Sequence, residues 1–277
     1  MQATSSPDNI KGSIMDFERV WHKSYPVGTP NEVTIEKLTM PEALDRSVLK
    51  FPNNPAMVYM GKTISYLELD SLVNRFANAL IALGVKPGDK VGMILPNMPQ
   101  AIIANFATLR IGGVTAMNNP LYTERELEYQ LNDSDATVLV TLDLLFPRVI
   151  KIQASTKVKK IITCHINDFF PFPTKQLFPF VKKGMYRKDT SHENTYAFMD
   201  LIKKYPETKV ENKASWDNTA ALIYTGGNTG VSKGAQLTHA NLSSVVQQFS
   251  AWLPELGFGD LERILGVYPI FHSAGYS

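Results

Sequence analysis

The stretch from Ser65 to Pro96, "SYLELDSLVNRFANALIALGVKPGDKVGMILP", decides the fold class. Ser65 followed three positions later by Glu68 is a capping box: the serine oxygen takes a free amide of the first helical turn, and the glutamate reaches back to the serine N–H. Leu69, Leu72, Val73, Phe76, Leu80 and Leu83 then recur at three- and four-residue intervals and make one apolar stripe. Gly84 and Pro87 close the helix. "KVGMILP", Lys90 to Pro96, follows as a short apolar strand, so the helix has a sheet to bury its stripe against.

The same grammar extends in both directions. Upstream, "AMVYM" and "GKTISY" read as two strands around a glycine turn. Downstream come a helix from Pro99 through Leu109, strand "VTAMN", a helix opening at Thr123 with Glu126 as its capping partner, and strand "ATVLVT". A helix near Leu142 to Ala154 and strand "KKIITC" continue the series. Short apolar strands alternating with amphipathic helices predict an α/β fold, a largely parallel sheet with helices on both faces.

Two regions depart from this rhythm. Residues 1–50 are polar with weak periodicity and read as an N-terminal arm before a main body at 51–277; within it, "MPEALDRSVLKFPNNP" suits one short helix with Leu44, Val48 and Leu49 inward. Residues 165–212 read as an aromatic insertion. "INDFFPFPTKQLFPFVKKGMYRK" mixes five phenylalanines and three prolines with lysines, which disfavours a simple core strand or helix. Two readings of 166–186 stand: an amphipathic surface that meets lipid peripherally or covers an apolar tunnel, or an excursion packed on its own domain. "NTYAFMDLIKKY" reads as a short helix with Phe198, Leu201 and Ile202 inward.

The 277 residues are 44% hydrophobic and carry 28 basic against 26 acidic side chains, a net charge of +2. That balance excludes the strong positive field of a nucleic-acid binder, so any phosphate binding must be local. The single cysteine, Cys164, sits in an apolar strand and reads as a small buried residue. The opening "MQATSSPDNIKGSIMDFERV" has no apolar stretch of the signal-peptide kind, and no apolar run reaches the about 18 residues of a membrane span; a cytoplasmic protein is expected.

The chemistry concentrates in "YTGGNTGVSKG", Tyr224 to Gly234. A buried strand, Ala220 to Tyr224, leads into it, and "KGAQLTHANLSSVV" resumes a strand and then a helix capped by Thr238. Gly226, Gly227 and Gly230 let the backbone approach a ligand closely, so that successive N–H groups can converge on an anion. Hydroxyls of Thr225, Thr229 and Ser232 add donors, and Lys233 adds a point charge. The combination suits polyphosphate. A Walker A loop is excluded because Lys233 is followed by Gly234 and no helix opens there; the glycine spacing also excludes a dinucleotide fingerprint.

These residues resemble the phosphate loop of the adenylate-forming superfamily, which includes acyl-CoA synthetases, luciferases and peptide-synthetase adenylation domains. The following "AQLTHANL" and the later "YPIFHSAG", Tyr268 to Gly275, are similar to the continuation and the acid-pocket segment of that family. "GVKPGDKVGMILPN" and "NNPLYTERELEYQLNDS" resemble its N-terminal region, the latter in the long-chain fatty acid branch. The resemblance covers Leu38 to Ser277. Asn228 stands where most relatives carry threonine, and weaker ATP binding is expected from it.

The resemblance implies a fatty acid–CoA ligase that converts a carboxylic acid and ATP to acyl-AMP and passes the acyl group to coenzyme A, with magnesium as cofactor. It implies that Thr225, Gly226, Gly227, Asn228, Thr229, Gly230 and Lys233 hold the nucleotide phosphates, with Thr229 also at the metal. His272 is expected in a catalytic role beside the acyl carboxylate, and Tyr276 either gates the acyl pocket or packs the core. The segments that hold adenine, and the mobile C-terminal lid domain with its lysine, do not follow Ser277. The chain therefore reads as an incomplete N-terminal large domain, inactive alone. A noncatalytic nucleotide- or acyl-binding fragment, and a ligase for an aryl or short-chain acid, stay open as alternatives.

Overall fold

A computed structural model describes residues 19–225, 232–253 and 263–276. After helix α1 (Met40–Lys50), strands β1 (Pro55–Tyr59) and β2 (Lys62–Ser65) form a small antiparallel sheet. Helix α2 (Tyr66–Ala82) follows, then β3 (Lys90–Ile94), α3 (Pro99–Arg110), β4 (Val114–Met117), α4 (Glu124–Asp133), β5 (Ala136–Leu142), α5 (Phe146–Gln153) and β6 (Lys160–Cys164). The chain continues through α6 (Thr174–Val181), β7 (Thr195–Ala197), α7 (Phe198–Lys204), β8 (Thr219–Thr225), β9 (Lys233–Thr238), α8 (His239–Trp252) and the single turn α9 (Ser273–Tyr276). The main sheet has seven strands in the order β7-β6-β5-β3-β4-β8-β9, all parallel except β9, which returns antiparallel to β8. This is the expected α/β architecture.

The decisive stretch folds as its spacing dictates except for half of its cap. Ser65 Oγ accepts from the N–H of Glu68 at 3.1 Å, but the Glu68 carboxylate pairs with Lys62 Nζ at 3.0 Å instead of reaching back to the Ser65 N–H; Leu69, Val73, Phe76 and Leu80 of α2 are buried. They meet Val91 and Met93 of β3, Val138 and Val140 of β5, and Ile162 and Cys164 of β6 in the larger core on one sheet face. The opposite face carries Ile94, Leu139 and Ile161 beneath Leu127 and Leu131 of α4 and Val149 and Ile152 of α5. Gly92 is the contact that lets α4 settle: a Cβ there would stand 3.0 Å from Leu139 and 3.1 Å from Leu131. Gly84, at φ +87°, ends α2 in the left-handed conformation that glycine adopts without strain.

Four local expectations differ. Leu49 is 84% exposed rather than inward; it lies five residues past buried Leu44, so it has rotated off the face on which Val48 stays. The helix predicted from Leu142 starts later, because Leu142 completes β5 beside Cys164 and a 3-10 turn over Asp143–Leu145 precedes α5. Thr195–Ala197 is an edge strand paired with β6, so only Phe198–Lys204 of that segment is helical, with Phe198, Leu201 and Ile202 buried as expected. The insertion also holds a helix, α6, despite Pro179. Pro179 has no N–H to give the carbonyl of Lys175, four residues back, and Asn167 Nδ2 donates to that carbonyl instead at 2.8 Å.

Arg110 joins the helices that cover the larger core. Its guanidinium is 1% exposed and donates to Asp70 Oδ1 and Asn74 Oδ1 at 2.7 Å and to Asp45 Oδ1 at 2.6 Å, tying α3 to α2 and α1. Cys164 is fully buried, and burial, with Asp168 and Asp143 nearby, pushes its thiol well above the usual range. No helix among the described residues is long and apolar enough to cross a membrane.

Candidate functional site

In a parallel α/β sheet, ligands gather at the carboxyl ends of the strands. β8 runs parallel to β4, with Met117 opposite Ile223, so its last residue, Thr225, lies at that edge. Thr225 pairs with Lys233, the first residue of β9. The glycine-rich loop is therefore the connection of a hairpin whose two stems stand at the carboxyl edge. Gly226, Gly227, Asn228, Thr229 and Gly230 lie outside the described residues; Thr225 and Lys233 mark where their segment leaves and rejoins the sheet.

Two motif residues are structural. The Tyr224 hydroxyl donates to Asp133 Oδ2 at 2.7 Å and reaches Gln130 O at 3.2 Å, which ties β8 to the end of α4. Burial, reinforced by the Asp133 carboxylate, raises its phenol. Across the hairpin, a Cβ at Gly234 would stand 3.1 Å from Tyr224 Cζ. The ring occupies the space that any side chain at 234 would need. Gln130 Nε2 lies 3.5 Å from Ser232 Oγ, a second link from α4 to the loop's returning limb.

The helix after the hairpin is capped as its sequence implies. Thr238 Oγ1 accepts from the Asn241 N–H at 3.1 Å, and Asn241 Oδ1 accepts from the Thr238 N–H at 3.0 Å. His239 is buried beside this cap, and its Nδ1 accepts from the Met40 N–H at 3.3 Å. Burial holds its pKa down at about 4, with Glu42 opposing, so the ring is a neutral acceptor at neutral pH.

His272 stands on a separate segment. Asn97, just past β3 at the same carboxyl edge, donates through Nδ2 to the carbonyls of Gly266 at 2.9 Å and Tyr268 at 2.8 Å. Its Oδ1 accepts from the Ile270 N–H at 2.8 Å. One side chain thus clamps both sides of the Tyr268–Ile270 bend. Ile270 is buried, while His272 is exposed and its Nδ1 accepts from the Ala274 N–H at 3.3 Å. A Cβ at Gly275 would collide with the Pro269 carbonyl, which accounts for glycine at the end of "FHSAG". The Tyr276 hydroxyl bonds Asn105 Oδ1 and Thr115 Oγ1, each at 2.7 Å, between α3 and β4. That contact supports its packing role.

Asn97 and Gln130 were not singled out by sequence reasoning. Asn97 sits in "LPN", where only its position directly after a strand hinted at a part in the edge.

An open groove of about 720 Å³ runs beside α4, from the amino ends of β3, β4 and β8 at Lys90, Val114 and Thr219, past Tyr129, to Lys233 and Gln236 of β9. Lys233 therefore borders both the groove and the loop. Among the described residues no cluster of three His, Cys, Asp or Glu side chains could hold a metal ion. Thr229, the expected metal contact, lies outside those residues.

A mostly parallel α/β sheet with a strand-loop-strand segment at its carboxyl edge agrees with comparison to known proteins. The family described as AMP-binding enzyme matches residues 44–277, and the chain belongs to it. It is 34% identical over 264 residues to a long-chain-fatty-acid–CoA ligase of Bacillus subtilis, covering 94% of this chain and 47% of that protein. It thus spans about half the length of the curated relatives it matches. Among solved structures, a long-chain-fatty-acid-CoA ligase from Archaeoglobus fulgidus superposes with a TM-score of 0.71 at 24% identity, covering 91% of this chain and 46% of that one. A benzoate CoA ligase from Burkholderia xenovorans superposes with a TM-score of 0.59 at 21% identity, over 75% and 36% of the two chains. At these identities the structures speak for the fold alone.

Proposed function

We propose that this chain supplies the triphosphate grip and part of the acid pocket of a fatty acid–CoA ligase. The observation that carries the reading is the hairpin: a loop rich in glycine and hydroxyls, with its lysine, emerges at the carboxyl edge of β8 within a chain of the AMP-binding family. A carboxylate oxygen attacks the α-phosphorus of ATP, and the bond to pyrophosphate breaks with the charge passing to the leaving group. In this reading loop amides, the hydroxyls of Thr225 and Thr229, and the Lys233 ammonium take up that charge. Coenzyme A then supplies the thiol that displaces AMP from the acyl carbonyl. His272 borders the acyl carboxylate and shapes its pocket.

The donor set fits magnesium brought in on the triphosphate, since that ion is commonly held by substrate phosphates with few protein ligands and many waters. Thr229 would be its protein contact. When bound, the ion would neutralise phosphate charge.

The test is acid-dependent ATP–pyrophosphate exchange by the protein extended to the length of its relatives, with palmitate and benzoate as competing acids. Exchange favouring palmitate, lowered about 10²–10³-fold by Lys233→Ala, is the expected result. Exchange that no acid stimulates, or that ignores Lys233→Ala, refutes the proposal. A preference for benzoate would instead select the aryl acid ligase left open by the sequence.

A further inference from the structure

We propose that the segment from Phe169 to Lys188 is a lipid-docking surface that seats the protein on anionic bilayers. Its twenty residues carry five basic side chains (Lys175, Lys182, Lys183, Arg187 and Lys188) and not one acidic side chain. The outer side of α6 and the turn before it present Phe172 at 84%, Phe180 at 74% and Val181 at 71% exposure, with Leu177 also exposed. Large apolar side chains are thus held in water next to lysines.

The inner side of the segment is anchored. Phe178 packs edge-on against Phe170 at 5.1 Å, and Phe170 against Tyr59 at 5.9 Å. Lys175 Nζ donates to Asp168 O at 2.6 Å, Asn167 donates to Lys175 O, and Tyr186 stacks on His165 at 4.5 Å. Collapse of the phenylalanines onto the protein would bury them; instead the aromatic ladder uses one set inward and leaves another set outward.

The charge pattern selects the partner. Anionic lipid attracts each nearby Lys or Arg by about 1 kcal/mol, while apolar side chains enter the boundary between headgroups and acyl chains. Lysine stems suit this because they lie along apolar surface and keep the ammonium among headgroups. A second exposed apolar strip, Val245, Val246, Phe249 and Trp252 on α8, makes the contrast: α8 has no lysine or arginine. That strip lacks the attraction, and the α6 surface has it. The inference is independent of the proposed ligase activity, because binding to a bilayer needs neither ATP nor an acid.

The experiment is co-sedimentation of the 277-residue chain with vesicles of phosphatidylcholine alone, or with about a third phosphatidylglycerol, at low and high salt. Binding is expected to the anionic vesicles and to fall with salt. The pair Lys182→Gln and Lys183→Gln should weaken it about thirtyfold, from about 1 kcal/mol per lysine. The pair Phe180→Ser and Val181→Ser should weaken it at least about tenfold by removing buried apolar area. Because all four side chains are exposed, circular dichroism and melting should match the parent, which separates lost docking from lost folding. Val245→Ser with Phe249→Ser should bind like the parent. Equal binding to neutral vesicles, no binding to either, or parental affinity in either α6 variant overturns the proposal.

Discussion

Tyr224 and Gly234 divide the glycine-rich motif by task. The glycines between them fall in the loop, whereas Gly234 is small because the Tyr224 ring lies across it. Gly234→Ala should destabilise the chain by about 1–2 kcal/mol through overpacking, read as a lower urea midpoint. Tyr224→Phe, which loses one hydroxyl shared between the exposed Asp133 carboxylate and the buried Gln130 carbonyl, should cost about 1 kcal/mol. Arg110 is the larger residue-scale determinant. Arg110→Met leaves Asp45 and Asp70 without their buried counter-charge and should cost about 3 kcal/mol in denaturant melts. A cost below the Gly234→Ala value would show that the acidic pair rehydrates freely. Neither role was legible in the sequence: "TLRIGG" looks like an ordinary helix end, and its arginine finds partners 40 and 65 residues away.

At the scale of elements, the insertion is fastened to the sheet by the buried Asp143 and the half-buried His165. Asp143, just past β5, accepts from His165 Nδ1 at 2.8 Å and from the Arg187 N–H at 2.6 Å, and His165 lies just past β6. Burial opposes charge on His165, but the hydrogen bond and charge of Asp143, with the charge of Asp168, outweigh it and raise the pKa above 6.5. A raised folded value means that the unfolded chain releases this proton first. The contribution is full below about pH 6.5 and is lost as pH rises through the folded pKa. Stability should therefore decline from pH 6.5 upward, and His165→Gln should flatten that decline in urea titrations. An unchanged slope in the variant would refute the pairing as its source. The alternation of strands and helices was legible because each repeats its apolar spacing locally. Helix α6 was not, since its missing proline hydrogen bond is compensated by Asn167, outside the helix.

For the whole molecule, His239 at the start of α8 links that helix to α1, accepting from the Met40 N–H across 199 residues. Its pKa of about 4 lies below the unfolded value, so the folded state resists a proton that the unfolded state accepts. Stability should fall as pH drops from about 6.5 toward 4, opposite in sign to the His165 effect. His239→Asn should remove part of that acid slope, checked by thermal melting between those limits. Together the two histidines place the most stable region near pH 6.5; the exposed carboxylates held below their usual range, such as Glu36 and Glu126, add small acid losses, and Asp168, raised by burial, opposes them.

By itself the sequence determined the α/β order, the strand-loop-strand setting of the glycine-rich motif, the caps at Ser65, Thr123 and Thr238, and the family. These are properties of spacing within a few residues, which backbone periodicity and hydrogen-bond demand convert directly into structure. Tertiary structure alone decided that Asn97 clamps the segment before His272, that Arg110 gathers three helices, that Tyr224 fills the space above Gly234, and that phenylalanines of the insertion face water beside lysines. The reason is physical: a buried polar group or an uncovered apolar one is defined by what lies against it, and those neighbours are distant in the chain.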